Sequence, residues 1–251
     1  MTIPLQPGAV YGPMNSRRFG RSLGINLLPT DSKVCSFDCV YCQYGKTSDG
    51  TPVFARLSDL DKEIDAVFCD TVEQNMKMDW IMIAGNGEPT LHPQFPEVVD
   101  SILKYRDLHL YKVPVGILSN SSTCFIPSVK QALLKLDGRF MKLDAGGPRV
   151  FDRINQPSRP DLWPKILDGL HELKSCVLQS LFVRGAADNT APADLDEWIT
   201  QVCLIQPAAV QVYSIQRPTK DQGILPVAKK KLESIAKQLT DRTGIGCRVY
   251  D

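Results

Sequence analysis

Apolar positions along the chain follow two spacings in turn. Short runs rich in β-branched and aromatic residues occupy 23–29 (LGINLLP), 80–85 (WIMIAG), 113–119 (VPVGILS), 139–145 (RFMKLDA), 178–185 (LQSLFVRG) and 208–215 (AAVQVYSI), and each reads as a strand. Between and after them the spacing changes to threes and fours. Leu60, Ile64, Val67 and Phe68 form one apolar face behind SDLD, which predicts a helix capped near Ser58. Leu162, Ile166, Leu170 and Leu173 repeat the pattern, as do Leu195, Trp198, Ile199 and Val202, and finally Leu232, Ile235, Ala236 and Leu239. Strict alternation of strand and helix predicts parallel strands joined by right-handed crossovers, with the helices outside. Six such units predict an α/β fold, a partial (β/α)6 TIM-like barrel. It forms a single domain over 1–251, with 1–22 as an extension leading into the first strand and 226–251 as a C-terminal helix and tail. A doubly wound open sheet has the same periodicity. The polar segments favour the barrel, because each strand is followed by unusual chemistry, as at the reactive mouth of such barrels: the cysteines, GNGEPT, SNSS, LDAGGP, RGAADN and SIQRPTK.

Composition narrows the classes. A chain of 251 residues, 43% hydrophobic, can bury a full core. Its formal charge of +1 creates no global field for nucleic acid or anionic lipid. No stretch approaches the roughly 18 apolar residues of a membrane span, and the opening MTIPLQPGAV lacks a basic and apolar leader, so the expectation is a cytoplasmic protein with no membrane contact. Eight cysteines at irregular spacing argue against a disulfide framework and for reduced thiols.

Three of those eight crowd into KVCSFDCVYCQYG, as Cys35, Cys39 and Cys42. A structural zinc site wants four protein ligands, and an electron-transfer iron–sulfur cluster usually takes four cysteines. Three thiolates on a cube of four irons would leave one iron open to a small molecule. Zinc remains the alternative at this point.

The stretch CSFDCVYC, with Tyr41 before the last cysteine, resembles the C-x3-C-x-aromatic-C signature of the radical S-adenosylmethionine superfamily. The resemblance implies a [4Fe-4S] cluster on Cys35, Cys39 and Cys42, with the amine and carboxylate of S-adenosyl-L-methionine on the fourth iron. It also implies a one-electron donor such as flavodoxin or ferredoxin, and reductive cleavage to a 5′-deoxyadenosyl radical that abstracts hydrogen from a substrate. AGNGEPTLHP resembles the family's glycine-rich motif, with Gly85, Gly87, Glu88 and Pro89 matching; glycines let backbone approach a ligand closely. SNSS resembles its polar strand end, which nominates Ser119 and Asn120. Asp144 in KLDA is a further candidate for cofactor or substrate contact, with a core hydrogen bond as the plain alternative.

YGPMNSRRFGRSLGINLLP, KLDAGGPRVFDRINQP and VQVYSIQRPTK are similar to a short branch grouped with wyosine-type tRNA imidazoguanosine synthetases. True members condense pyruvate with N1-methylguanosine in tRNA and carry further cysteines ahead of the triad, whereas no cysteine precedes Cys35 here. Residues 1–46 hold five basic and two acidic side chains, with Arg17, Arg18 and Arg21 together. That is a narrow patch for clamping tRNA. Arg17 and Arg18 are candidates for facing phosphate or a substrate carboxylate, with solvent as the alternative, and Arg184 and Arg217 for an anionic substrate in the barrel mouth, with surface ion pairs as the alternative. Small-molecule and RNA substrates both stay open, as does a non-catalytic metal or iron–sulfur sensor. Cys69, Cys124, Cys176, Cys203 and Cys247 read as buried packing residues. His92, His109 and His171 share no metal-ligand spacing, and His92 reads as a brace for its loop.

Overall fold

The computed structural model describes residues 3–250 except 174, 218, 220 and 222. Strands β1 (Val10–Ser16) and β2 (Gly20–Ile25) form an antiparallel hairpin. There follow α1 (Leu57–Glu73), β3 (Trp80–Ile83), α2 (Phe95–His109), β4 (Val115–Ser119), α3 (Pro127–Leu134) and β5 (Gly138–Lys142). Two helices, α4 (Pro148–Asn155) and α5 (Leu162–Glu172), lead to β6 (Val177–Gly185), and α6 (Pro192–Ile205) to β7 (Ala209–Ser214). The chain ends with β8 (Ile224–Pro226), α7 (Lys229–Thr243) and β9 (Cys247–Tyr250).

Hydrogen bonding runs β1-β2-β3-β4-β5-β6-β7-β9, parallel at every step after the hairpin, and β8 pairs with β6 off this path. A doubly wound sheet reverses its strand order at a switch point. This order never reverses, so the barrel reading holds, and the row ends at β1 and β9 rather than closing.

Alternation along each strand sorts side chains to two faces. Ile81, Ile83, Ile117, Met141, Leu178 and Val212 meet the helices in one large core with Phe68, Ile102, Leu133, Trp198 and Leu239. The opposite face carries a small aromatic cluster of Phe19, Met82 and Phe140 with Trp80. Gly138 makes room for it, since a Cβ there would lie 2.7 Å from the Phe140 ring and 2.8 Å from Trp80. Among the described residues no helix is long and apolar enough to cross a membrane.

The structure departs from the sequence reading at several boundaries. The first parallel strand spans Gly20–Ile25 rather than 23–29: pairing with β1 extends it backward. Beyond Ile25 the Asn26 side chain bonds the Leu28 carbonyl and amide at 2.8 and 3.3 Å, replacing the ladder with a local turn. The extension before it is itself a strand, β1. Helix α1 starts at Leu57, with Arg56 at the cap position and no side-chain cap, so Ser58 lies inside the first turn. The C-terminal tail is strand β9, aligned with β7. Cys124 and Cys176 are buried as expected, but Cys203 is exposed and Cys69 and Cys247 are half-buried, on outward positions of α6 and α1 and on the outermost strand.

Phe68, fully buried where α1 meets the sheet, is expected to cost about 3–5 kcal/mol on replacement by Ala. Urea unfolding of Phe68→Ala against the parent measures this.

Candidate functional site

The cysteine loop leaves β2 and is fastened on two sides. On one, the Val34 amide donates to Asn86 O at 3.0 Å and the Glu88 amide donates to Val34 O at 2.9 Å, which joins the loop to the exit of β3. Gly87 sits between them with φ +139°, where a Cβ would fall 1.9 Å from Val34 O. On the other, the Asp38 and Val40 amides donate to Gln156 O and Ile154 O at 3.1 and 3.0 Å, tying the loop to the end of α4. The loop is filled from within by Lys33, 3% exposed. Its Nζ donates to Phe37 O, Asp38 Oδ1 and Gly45 O at 3.1, 3.0 and 2.8 Å. Burial works to lower the Lys33 amine, and Cys42, Cys35 and Asp38 outweigh it, so its pKa is raised.

Cys35, Cys39 and Cys42 are free thiols, half-buried. Burial, reinforced by Cys39, pushes Cys35 up to about 12; burial, reinforced by Asp144, pushes Cys39 up to about 11. Two amides face the sulfurs: Asn120 Nδ2 lies 3.5 Å from Cys35 Sγ and Asn155 Nδ2 3.4 Å from Cys39 Sγ. Asn155 Oδ1 is buried with no partner among the described residues. Among the described residues no three His, Cys, Asp or Glu side chains gather tightly enough for a single metal ion.

The strand ends around the loop are polar and interlocked. Glu88, 1% exposed, accepts from Thr90 N and Oγ1 at 3.2 and 2.6 Å, from Ser119 Oγ at 2.9 Å and from Asn120 N at 2.5 Å. Burial raises its carboxyl, and these bonds oppose the shift. Asn120 also donates to Ser36 Oγ at 2.9 Å. Asp144 is buried beside the loop: Tyr41 OH and Asn155 Nδ2 donate to one carboxylate oxygen, the latter at 2.8 Å. The Leu181 amide reaches the other at 2.7 Å, with Lys142 Nζ 3.3 Å away. A cavity of about 550 Å³ opens beside the loop, lined by Cys35, Ser36, Phe37, Lys46, Asp152 and Ser158 among others.

The structure therefore joins Cys35, Glu88, Ser119 and Asn120 in one hydrogen-bonded set and Cys39, Tyr41 and Asp144 in a second through Asn155, and fastens Gly87 to the loop beside them; the Cys42 amide donates to Cys39 O at 2.9 Å on the same loop. Gly85 approaches Asn26 closely, and Pro89 starts a short 3-10 turn. Arg18 lies at the hairpin tip over Tyr213. Arg17 is exposed on the same tip, Arg184 is exposed and donates from Nε to Pro226 O at 3.0 Å, and Arg217 is exposed past β7. Pro218 and Lys220 of SIQRPTK lie outside the described residues. His92 does brace its loop, with Nδ1 accepting from Gln94 N at 3.2 Å and Nε2 3.4 Å from Ala55 O. Sequence reasoning passed over Lys33, Lys142, Asn155 and Tyr213. Lys33, two residues before Cys35, and Lys142, two before Asp144, had a signal in their spacing; Asn155, 113 positions after Cys42, had none.

No protein-family model matches the chain. It is 33% identical over 222 residues to a UPF0026 protein of Helicobacter pylori, covering 85% of this chain and 68% of that one. It is 30% identical to a UPF0026 protein of Synechocystis sp., covering 96% and 95%. It is 29% identical to a Brachyspira hyodysenteriae protein named GTPase Obg, covering 93% of this chain and spanning 34% of that protein's length. Among solved structures it resembles TYW1 with a lysine-pyruvate adduct bound (TM-score 0.66, 14% identity, 88% of this chain and 74% of that one). It also resembles a radical SAM methyltransferase from Sphaerobacter thermophilus (TM-score 0.68, 11% identity, 91% and 65%). The fold is that of the radical S-adenosylmethionine partial barrels.

Gly87→Ala forces both a disfavoured backbone and a clash with Val34, and is expected to cost at least about 2 kcal/mol. Urea unfolding measures it, and Gly50→Ala, where a Cβ meets nothing within 4 Å, should stay within about 0.5 kcal/mol of the parent.

Proposed function

From the premise that the chain belongs to the UPF0026 protein family, we propose that it is a radical S-adenosylmethionine enzyme acting on a substrate held in the mouth of its partial barrel. The observation that carries this reading is the cysteine triad on the loop after the first parallel strand, hooked by backbone bonds to the GNGEP exit of the next. The residues fit a cluster better than an ion. Among the described residues the three thiols stand without a fourth ligand, amide donors face two of the sulfurs, and the triad is not drawn tight around a single-ion site.

When bound, a [4Fe-4S] cluster with S-adenosyl-L-methionine supplies a 5′-deoxyadenosyl radical able to abstract hydrogen. Cys35, Cys39 and Cys42 would hold the cluster, losing their protons as they do so. Asn120 and Asn155 donate to sulfur and so favour the thiolate form. Glu88 spends its carboxylate on Thr90, Ser119 and Asn120, and so acts by fixing the ends of β3 and β4. Tyr41 is held against Asp144 rather than free to move. Gly85, Gly87 and Pro89 shape the backbone on which the cofactor would lie, with Ser119, Asn120 and Asp144 as its polar contacts. Reduction calls for a one-electron donor such as flavodoxin or ferredoxin.

A second reading, wyosine-type modification of guanosine in tRNA, draws on the likeness to TYW1. The net charge of +1 weighs against a broad RNA-binding surface. GTP hydrolysis is not carried over from the Brachyspira relative: Gly45, Lys46 and Thr47 lack the upstream glycine of a phosphate loop, where Val40 stands.

Anaerobic reconstitution with iron and sulfide followed by reduction tests the proposal. The parent should release 5′-deoxyadenosine from S-adenosyl-L-methionine, and Cys42→Ala should abolish that release. A protein that takes up metal yet leaves S-adenosyl-L-methionine intact would be a sensor, and activity retained by Cys42→Ala would refute the triad. A tRNA substrate would show binding that weakens steeply with salt.

A further inference from the structure

The face of the sheet opposite the helices is layered. Its floor is aromatic: Phe19, from the hairpin tip, packs edge-on against Phe140 and Trp80, with ring centroids 4.6 and 6.2 Å away. Above the floor the same face turns cationic. Lys142 follows Phe140 by two positions on β5, and its Nζ donates to Tyr213 OH at 3.0 Å while lying 5.0 Å from the Tyr41 ring centroid. Arg18 precedes Phe19, and its guanidinium carbon lies 4.6 Å from the centroid of the same Tyr213 ring. Two cations thus flank one tyrosine, between the floor and the residue next to Cys42.

The charges there do not balance internally. Among the described residues Asp144 is the acid in contact with this layer, and both its oxygens are already engaged, by Tyr41, Asn155, the Leu181 amide and Lys142. Arg18 Nη1 is buried without a hydrogen-bond partner among the described residues. Arg139 Nε and Arg153 Nε are buried in the same way, and what sets Arg18 apart is its place over Tyr213 beside a second cation, Lys142; a buried cationic donor so placed calls for a water, an ion or a ligand. The guanidinium is also held in place beforehand. Ser16 Oγ accepts from the Arg18 and Phe19 amides, each at 3.2 Å, which fixes the turn, and the aromatic rings support the planar group.

We propose that Arg18, Lys142 and Tyr213 form a subsite for a compact oxyanion, the carboxylate or phosphate of the substrate. It orients the rest of that molecule toward the cysteine loop. The proposal rests on the reading above for calling the ligand a substrate, but the subsite itself does not require radical chemistry.

Calorimetric titration of the oxidised, reconstituted protein with acetate and with inorganic phosphate tests it, without reduction or cleavage of S-adenosyl-L-methionine. Failure of the subsite is therefore distinct from failure of the enzymatic reading. At least one probe should bind with a dissociation constant between about 0.1 and 10 mM, and which one binds tells carboxylate from phosphoryl. Arg18→Gln should weaken binding about tenfold or more, while Lys237→Gln, on exposed α7, should not change it. In the parent, arginine labelling by phenylglyoxal, mapped by mass spectrometry, should slow at Arg18 when the anion is present; this reading survives even if Arg18→Gln misfolds. Saturating S-adenosyl-L-methionine should leave the anion affinity unchanged. Binding of neither probe, equal affinity in Arg18→Gln, labelling of Arg18 indifferent to the anion, or displacement by S-adenosyl-L-methionine would each overturn the assignment.

Discussion

Two backbone hydrogen bonds, from Val34 to Asn86 and from Glu88 back to Val34, fix where the thiols of this protein stand. They fasten an irregular loop to the end of a strand buried in the sheet, and they are made only because Gly87 has no side chain to keep the two segments apart. Through Glu88 the same junction reaches Ser119 and Asn120 on the next strand, and Asn120 returns to Ser36 and to Cys35. The ends of three successive elements are thereby locked into one unit around the cysteines. A loop without that junction would pay the full entropy of ordering its thiols each time a ligand bound.

The barrel divides its labour between faces. The helix side is a continuous hydrophobic core and supplies stability. The other side holds few apolar residues, gathered at the floor, and leaves its upper part to polar groups such as half-buried Lys142, buried Asp144 and the buried Gln179–Gln211 pair, bonded at 2.8 Å. Buried polar networks are tolerable when their members satisfy one another. Of the four buried side-chain atoms without a partner among the described residues, Asn155 Oδ1 and Arg18 Nη1 border the cysteine loop and the tyrosine-flanked cations respectively, and the other two are Arg139 Nε and Arg153 Nε.

Much of this was legible in the sequence because it is local. The order of the strands follows from periodicity, and the cysteine spacing and GNGEP lie on contiguous stretches. Asp144 was nominated from its strand, although its bonds to Tyr41 and Asn155 were not foreseeable. What escaped was short or distant. β8 and β9 have three and four residues, too few for a pattern, and β1 carries Gly12 and Pro13 in its middle. Lys33 carries no mark of burial in the sequence, yet three acceptors supplied by the loop itself draw it inside. Arg18 was one of several candidate arginines. Only the fold shows that the hairpin carries it to Tyr213 on a distant strand while leaving Arg17 exposed.

The proposed function requires that Cys35, Cys39 and Cys42 anchor a [4Fe-4S] cluster and leave one of its irons open. Mössbauer spectroscopy of protein reconstituted with 57Fe, before and after addition of S-adenosyl-L-methionine, tests it most directly. The expected result is a [4Fe-4S] spectrum in which one iron alone changes its isomer shift when S-adenosyl-L-methionine is added. A spectrum in which all irons stay unchanged on addition, or a protein that retains zinc and no cluster, would contradict it.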